Sequence, residues 1–202
     1  MIRTGSRMAG WLLGMLLCAS AIVLAQPPSV QLVASGQTVV AGRSTPYLIR
    51  HLPVSSFPEL PAAVQNMLNL RGCLIPQTYE AHHPENVVHA SLERAGSSDW
   101  AVLCSAQGTV SLLVFLDGTG QPLLLASAPE IQRLQAHDPG GVLGFNWGID
   151  PASPEQIRQA RSGMEHHPPL LDHDALADSI VDRRTIYRFY AKSTWTLLDM
   201  PD

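Results

Sequence analysis

Residues 165–179, EHHPPLLDHDALADS, place three histidines and three aspartates within fifteen positions. Imidazole and carboxylate groups ligate metal ions and transfer protons, so this segment is a candidate metal or catalytic site. Its most compact group is Asp172, His173 and Asp174, which are weak candidates for metal ligands together with histidines elsewhere in the chain.

The spacing within the segment argues against a local metal site. Pro168 favours an extended conformation at His167, and adjacent side chains of an extended chain point to opposite sides. His166 and His167 therefore cannot easily bind one ion. The sequence also lacks H-E-x-x-H, the spacing that puts two imidazoles on one helix face.

The aspartates have a structural interpretation as well. Asp172 or Asp174 fits a helix N-cap, and Arg183-Arg184 would then suit the negative end of the helix dipole. The expected helix would bury Leu176, Ala177, Ile180 and Val181 and would leave Asp178 and Asp182 on a solvated face. Only His173 has no role in this interpretation.

Other polar residues are best explained by turns and loops. His82 and His83 precede Pro84 in a polar loop, and Asp117 opens a D-G-T-G turn. His89 lies on an expected strand as a hydrogen-bonded structural residue, and Asp99 ends a turn before a strand. His82, His83 or His89 could still join Asp172, His173 and Asp174 in a long-range metal site.

Signatures of several function classes are absent from the sequence. It contains no G-x-S-x-G elbow, no G-x-G-x-x-G loop and no phosphate-binding loop. Trp100, Trp147 and Trp195 lie in or beside expected strands, which favours core packing over a sugar-binding face. We expect no cofactor and, on balance, no enzyme.

The first 25 residues have the features of a signal peptide. Arg3 and Arg7 precede an apolar run from Trp11 to Leu24, and Val23 and Ala25 fit the cleavage positions before Gln26. The run is too short for a membrane span of about 20 residues, so no stable span is expected after cleavage. We expect a periplasmic or secreted protein.

Charge argues against a nucleic-acid partner. The net charge is −4, and removal of two arginines with the signal would make it −6. No basic patch is present.

Two cysteines, Cys73 and Cys104, would remain after cleavage, and an oxidising compartment favours a disulfide between them. Closing a loop of about 30 residues would stabilise the fold by roughly 3 to 4 kcal/mol in the loop-entropy model. The alternative of a cysteine nucleophile requires both thiols to stay reduced outside the cytoplasm.

Secondary-structure signals predict an α+β fold. Residues 26–58 form a Pro-rich N-terminal arm or loose hairpin around Ser35-Gly36, whose order the sequence leaves open, and 59–202 form one domain. Helices are expected after Pro61, after Ser127, after Ser153 and at the 172–182 cluster. Strands are expected in the ranges 86–92, 99–105, 109–116, 122–127, 142–150, 185–190 and 195–198. The expected architecture is an antiparallel sheet of about six or seven strands, comprising a central β-meander and a C-terminal hairpin, with about four short helices packed on it.

About half of the mature chain resembles a group of bacterial exported proteins. The resemblance spans residues 71–115 and 171–198, the second of which ends in a strand, a turn and a tryptophan-containing strand as in that group. Within these ranges, RGCLIPQ (71–77), DWAVLCS (99–105) and LDHDALADSIVD (171–182) are similar to its R-G-C-x-I-P-Q, D-W-A-V-L-C-S and D-H-D-x-I-x-D segments. Leu176 stands where isoleucine is expected. The resemblance implies that both cysteines lie in shared segments, and it supplies no catalytic residues and no activity.

A weaker likeness concerns ERAGSSD (93–99), which resembles the acidic turn before a strand in integrin-type FG-GAP repeats. The run of aspartates that binds calcium in those repeats is missing, and only one such unit is present. The likeness therefore predicts neither a propeller nor its calcium sites.

Taken together, these features indicate an exported, non-enzymatic binding domain for an envelope protein, a glycan or a small ligand. The alternative is a cell-envelope hydrolase or metal-binding protein that uses Asp172, His173 and Asp174.

Overall fold

The computed structural model describes residues 31–137, 140–160 and 170–199. The expected signal peptide, His166 and His167 lie outside these residues. None of the helices described is long and apolar enough to span a membrane.

Within the described residues the chain forms thirteen strands and two α-helices. The helices are α1 (Ala62–Leu70) and α2 (Pro154–Ala160). The strands are β1 (Leu32–Val40), β2 (Arg43–Pro53), β3 (Leu74–Gln77), β4 (Val87–Ala90), β5 (Asp99–Ala106), β6 (Thr109–Phe115), β7 (Leu123–Pro129), β8 (Leu134–Ala136), β9 (Leu143–Phe145), β10 (Trp147–Ala152), β11 (Ala175–Ile180), β12 (Arg184–Ala191) and β13 (Thr194–Asp199). The α+β class is thus confirmed, but the expected strand number was too low and the expected helix number too high.

The strands form two sheets. The first has nine strands in the order β7-β6-β5-β3-β2-β9-β8, with β1 also on β2 and β4 also on β5. The second has the order β10-β11-β12-β13. Every strand pair is antiparallel except β2 with β9. The predicted meander (β4 to β7) and the predicted C-terminal hairpin (β12 and β13) are both present.

Strands β5 and β6 are covered on both faces, as their unbroken apolar runs predict. On one face, Val102 and Phe115 pack with Val64 and Leu68 of α1. On the other face, the alternate residues of these strands pack against Trp147, Ile149 and Leu176 of the second sheet. Helix α2 inserts Ile157 into a third cluster, with Ala175 and Phe189 of the second sheet. The order of layers is therefore α1, first sheet, second sheet, α2.

Local signals predicted both helices correctly. Leu60, Val64 and Leu68 are buried as the helical stripe of α1 requires, and Gly72 takes the left-handed conformation just after the helix. At α2 the Ser153 hydroxyl accepts the Gln156 N–H at 3.3 Å, while Gln156 Oε1 accepts the Ser153 N–H at 2.7 Å. This is the predicted capping box.

The helix expected after Ser127 is wrong. Ser127 pairs with Ser111 inside β7, and only a 3₁₀ turn, Glu130–Arg133, follows. The S-x-x-E pattern misled because the Glu130 side chain turns towards β2 and β5 instead of capping a helix. Here the tertiary partners outweighed a local signal.

The helix expected over the 172–182 cluster is also wrong, because residues 175–180 form β11. Leu176 packs against the first sheet, whereas Ala175 and Ala177 pack in the cluster with α2. Asp178 is not solvated: it is 8% exposed and pairs with Arg188 at 2.7 Å. The apolar residues of this segment are therefore buried on both faces of a strand and not along one side of a helix.

The N-terminal segment is more regular than a loose hairpin. Strand β1 runs straight through Ser35 and Gly36, and the turn lies at Ala41 and Gly42, both with positive φ. Strand β2 buries Ile49 and Leu52 in the core. The expected strand 142–150 splits at Asn146, whose N–H bonds to Arg133 and whose carbonyl accepts from Val181.

Gly144 marks a close approach between β9 and the loop after β3. A Cβ atom added there would lie 2.5 Å from Tyr79 Cβ, whereas one added at Gly148 would meet only Thr78 Cγ2, at 3.6 Å. We therefore expect Gly144→Ala to lower the free energy of unfolding by roughly 1 to 3 kcal/mol. Gly148→Ala is the matched control and should have little effect in denaturant unfolding. Equal losses for the two variants would contradict the packing described.

Candidate functional site

A cleft of about 280 Å³ lies across β1, β2, β3 and the end of β5 in the first sheet. Its polar side chains include His51, Ser105 and Glu130. Apolar wall is supplied by Leu32, Val33, Ala34, Leu74 and Ala106. Polar groups set in an apolar concavity are the usual composition of a small-ligand site.

Three separate elements position the polar residues. His51 comes from β2 and Ser105 from the end of β5, while Glu130 follows directly after β7. The Glu130 N–H donates to the Gly108 carbonyl at 2.9 Å, which fixes the start of the 3₁₀ turn. The site therefore depends on the sheet as a whole and not on one local motif.

One carboxylate oxygen of Glu130 receives two hydrogen bonds. His51 Nε2 lies 2.8 Å from Glu130 Oε1, and the Ser105 hydroxyl donates to the same atom at 2.7 Å. An ionised carboxylate can only accept, so the proton of this contact sits on His51 Nε2. The side chains of His51 and Glu130 are only 5% and 12% exposed.

These contacts keep Glu130 charged. Burial by itself raises the pKa of Glu130, but the hydrogen bonds from His51 and Ser105 and the charge of His51 outweigh it, so the pKa lies below its ordinary value. Among the described residues, the second oxygen, Oε2, has no hydrogen-bond partner. Glu130, which lines the cleft, thus keeps one carboxylate oxygen without a protein partner among the described residues.

The arrangement differs from a nucleophilic triad. In a triad the imidazole lies between the hydroxyl and the carboxylate and takes the hydroxyl proton. Here the carboxylate lies between His51 and Ser105, and the Ser105 proton is already directed at Glu130. The geometry suits holding a ligand better than activating Ser105.

The three candidate metal ligands of the sequence diverge. His173 Nδ1 contacts the exposed Asp172 at 2.8 Å and His173 Nε2 contacts the Tyr190 carbonyl at 2.9 Å. Asp174 instead accepts the Ser91 N–H at 3.1 Å. The contact with His173 lowers the pKa of Asp172. His173, left unexplained by the sequence, thus ties this loop to β12.

Among the described residues, His82, His83 and His89 do not form a metal-ligand group with Asp172, His173 and Asp174. His82 and His83 are exposed, as the loop interpretation predicts, and they border a separate small cleft. His89 stacks on Trp100 with ring centroids 4.3 Å apart and contacts the Ser98 hydroxyl at 2.8 Å.

An acidic group that the sequence analysis treated as separate turns does converge. Ligand atoms of Glu93, Asp99 and Asp117 lie within 4.8 Å of one another. Asp99 is fully buried and accepts the N–H groups of Leu92, Glu93 and Asp117, each at 2.8 Å. Arg94 pairs with Glu93 and Asp117. Backbone N–H groups and an arginine therefore satisfy this cluster internally.

The predicted disulfide is present between Cys73 and Cys104. It joins the end of α1 to β5, so neither cysteine is available as a nucleophile. It also fixes the strand that carries Ser105.

None of the three cleft residues was predicted as functional. Glu130 was assigned to a helix cap, and Ser105 and His51 carry no motif. The one signal in the sequence was that a polar residue, Ser105, follows the apolar run AVLC of an expected strand.

We expect the contribution of Glu130 to stability to depend on pH. Its folded pKa is lowered, so the stabilisation is present above the ordinary value of 4.5 and is lost as the pH falls through the folded value. Glu130→Gln should cost roughly 1 to 2 kcal/mol at neutral pH, and its difference from the unmodified protein should shrink in acid. Denaturant unfolding at several pH values measures this.

Glu59 is exposed and provides the control variant Glu59→Gln, which should leave stability almost unchanged at neutral pH. A Glu130→Gln cost that grows as the pH falls below 4.5 would contradict the charged state of Glu130.

The chain matches no protein-family model, no curated protein and no solved structure. A function for the cleft therefore has to be inferred from its own residues.

Proposed function

We propose that the protein is an exported, non-enzymatic binding domain whose cleft holds a small organic cation, such as an amine with a short apolar group. The single observation that carries this proposal is Glu130, which is charged and has Oε2 free of protein partners among the described residues. The signal-like first 25 residues and the disulfide support export.

The unpartnered carboxylate oxygen of Glu130 selects the ligand class. A carboxylate in a partly desolvated site interacts more strongly with a cation than it would in water, and it repels anions. An ammonium group also donates hydrogen bonds, which Oε2 can accept. A ligand carboxylate would leave two acceptors facing each other.

The walls of the cleft account for an apolar part of the ligand. Leu32, Val33 and Leu74 line it, and exposed fractions of 43% and 57% at Leu32 and Val33 leave surface for contact. The volume of about 280 Å³ suits a small molecule or the end group of a larger one. We therefore favour a compact amine over an extended glycan.

The alternative of a hydrolase or metal-binding protein at Asp172, His173 and Asp174 has weaker support. Their side chains bind a backbone carbonyl, a neighbouring side chain and a backbone N–H, and they do not face a common point. The proposal therefore rests on the cleft alone.

Titration of the protein with n-butylammonium and with butyrate, followed by NMR chemical shifts, tests the proposal. We expect n-butylammonium to shift resonances of the cleft saturably and butyrate to leave them unchanged. Glu130→Gln should weaken n-butylammonium binding at least tenfold, the loss expected for roughly 1.4 kcal/mol or more of charge-assisted interaction.

Glu59→Gln, which alters an exposed carboxylate outside the cleft, should bind as the unmodified protein does. Equal binding of the cation and the anion, or cation binding that survives Glu130→Gln, would overturn the proposal.

A further inference from the structure

Strand β1 is an open edge of the first sheet. Tyr47 of β2 pairs with Gly36 of β1 and also with Leu143 of β9, and Arg50 pairs with Val33 of β1 and also with Gln77 of β3. A strand has two sides, so β9 and β3 lie on the side of β2 opposite β1. In the described part of the chain, no strand pairs with the outer side of β1.

The edge lacks the features that usually prevent pairing. Strand β1, LVASGQTVV, is nine residues long and contains no charge and no proline. Val33 and Val39 are 57% and 72% exposed, and Leu32 and Val40 are 43% and 47% exposed. Natural sheets protect such edges with lysine, proline, bulges or short strands. An unprotected edge of this length is a pairing site.

The sequence of β1 is complementary to itself. If two copies of β1 pair antiparallel around Gly36, Leu32 lies opposite Val40 and Val33 opposite Val39. Ala34 then faces Thr38, and Ser35 faces Gln37. Apolar pairs stand at both ends and the polar pair stands next to the centre.

Backbone geometry fits the same register. Each pair joins two even-numbered or two odd-numbered residues, so outward N–H and C=O groups of one copy meet outward groups of the other. Gly36 lies on the two-fold axis of this register. The Tyr47 ring fills the space where a side chain of residue 36 would lie, because its hydroxyl would be 2.7 Å from an added Cβ.

We propose that β1 pairs with β1 of a second copy of this chain, in an antiparallel register centred on Gly36, and joins two first sheets into one continuous sheet. The interface is isologous and closes as a dimer. This inference is independent of the ligand proposed for the cleft, although Leu32 and Val33 border both surfaces.

Two double variants that differ only at residue 39 test the register. In Val33→Glu/Val39→Lys, each introduced glutamate lies opposite an introduced lysine of the second copy, so the dimer should persist. In Val33→Glu/Val39→Glu, two glutamates lie opposite each other in both pairs, so the dimer should dissociate. The glutamate introduced at position 33 would lie beside Arg50 of β2 in both variants, which keeps the hairpin comparable.

Sedimentation velocity of the full exported chain over a wide concentration range measures the dimer. The mass of the unmodified protein and of the Glu/Lys variant should rise towards twice that of the chain, and the Glu/Glu variant should stay monomeric with an unchanged circular dichroism spectrum. Leu124→Lys and Leu124→Glu, at an exposed site on β7, control for net charge.

Hydrogen exchange provides a second measurement, because outward amides of β1 should be protected only in the dimeric proteins. A monomeric unmodified chain at all concentrations would overturn the proposal, and so would a dimer that the two double variants form equally well.

Discussion

Strands β5 and β6 carry apolar side chains on both faces, and the two covering layers follow from that constraint. Burying a large apolar side chain stabilises a fold by about 1.5 to 3 kcal/mol, so neither face can remain open to water. Helix α1 covers one face and is held at its end by the Cys73–Cys104 disulfide. The second sheet covers the other, and Asn86 fixes it by donating to the Trp147 carbonyl at 3.3 Å and accepting the Ile149 N–H at 3.0 Å.

The cleft lies where this layered packing ends. Ser105 is next to the last residue of β5, and Glu130 follows β7, so both come from strand ends. A carboxylate that loses water there is costly unless donors replace the lost hydrogen bonds. His51 and Ser105 supply two donors to one oxygen of Glu130, and the other oxygen has no hydrogen-bond partner among the described residues. The cation site that we propose therefore depends on the same contacts that stabilise the charge.

The features predicted correctly from the sequence are those set by neighbouring residues or, for the disulfide, by an oxidising compartment. The stripe of α1, the Ser153 capping box, the meander and the disulfide each depend on neighbouring residues or on cysteine pairing. Sequence reasoning failed where distant partners decide. The segment ALADSI (175–180) fits a helical pattern, but it forms a strand because Leu176 and Ala177 are buried on opposite sides of it. Glu130 fits the pattern of a helix cap, but its side chain instead contacts His51, which is 79 positions away in the sequence. The cleft could not be assembled from sequence because its three residues are brought together only by the order of strands.

The ligand class proposed for the cleft depends on the charge of Glu130. A ¹³C NMR titration of the Glu130 carboxyl carbon in the folded protein tests it most directly. We expect this carbon to titrate with a pKa below the ordinary value of 4.5, because the hydrogen bonds from His51 and Ser105 stabilise the charged form. A pKa above 4.5 would mean that burial outweighs the hydrogen bonds from His51 and Ser105, and it would contradict the stabilisation of the charged form described here.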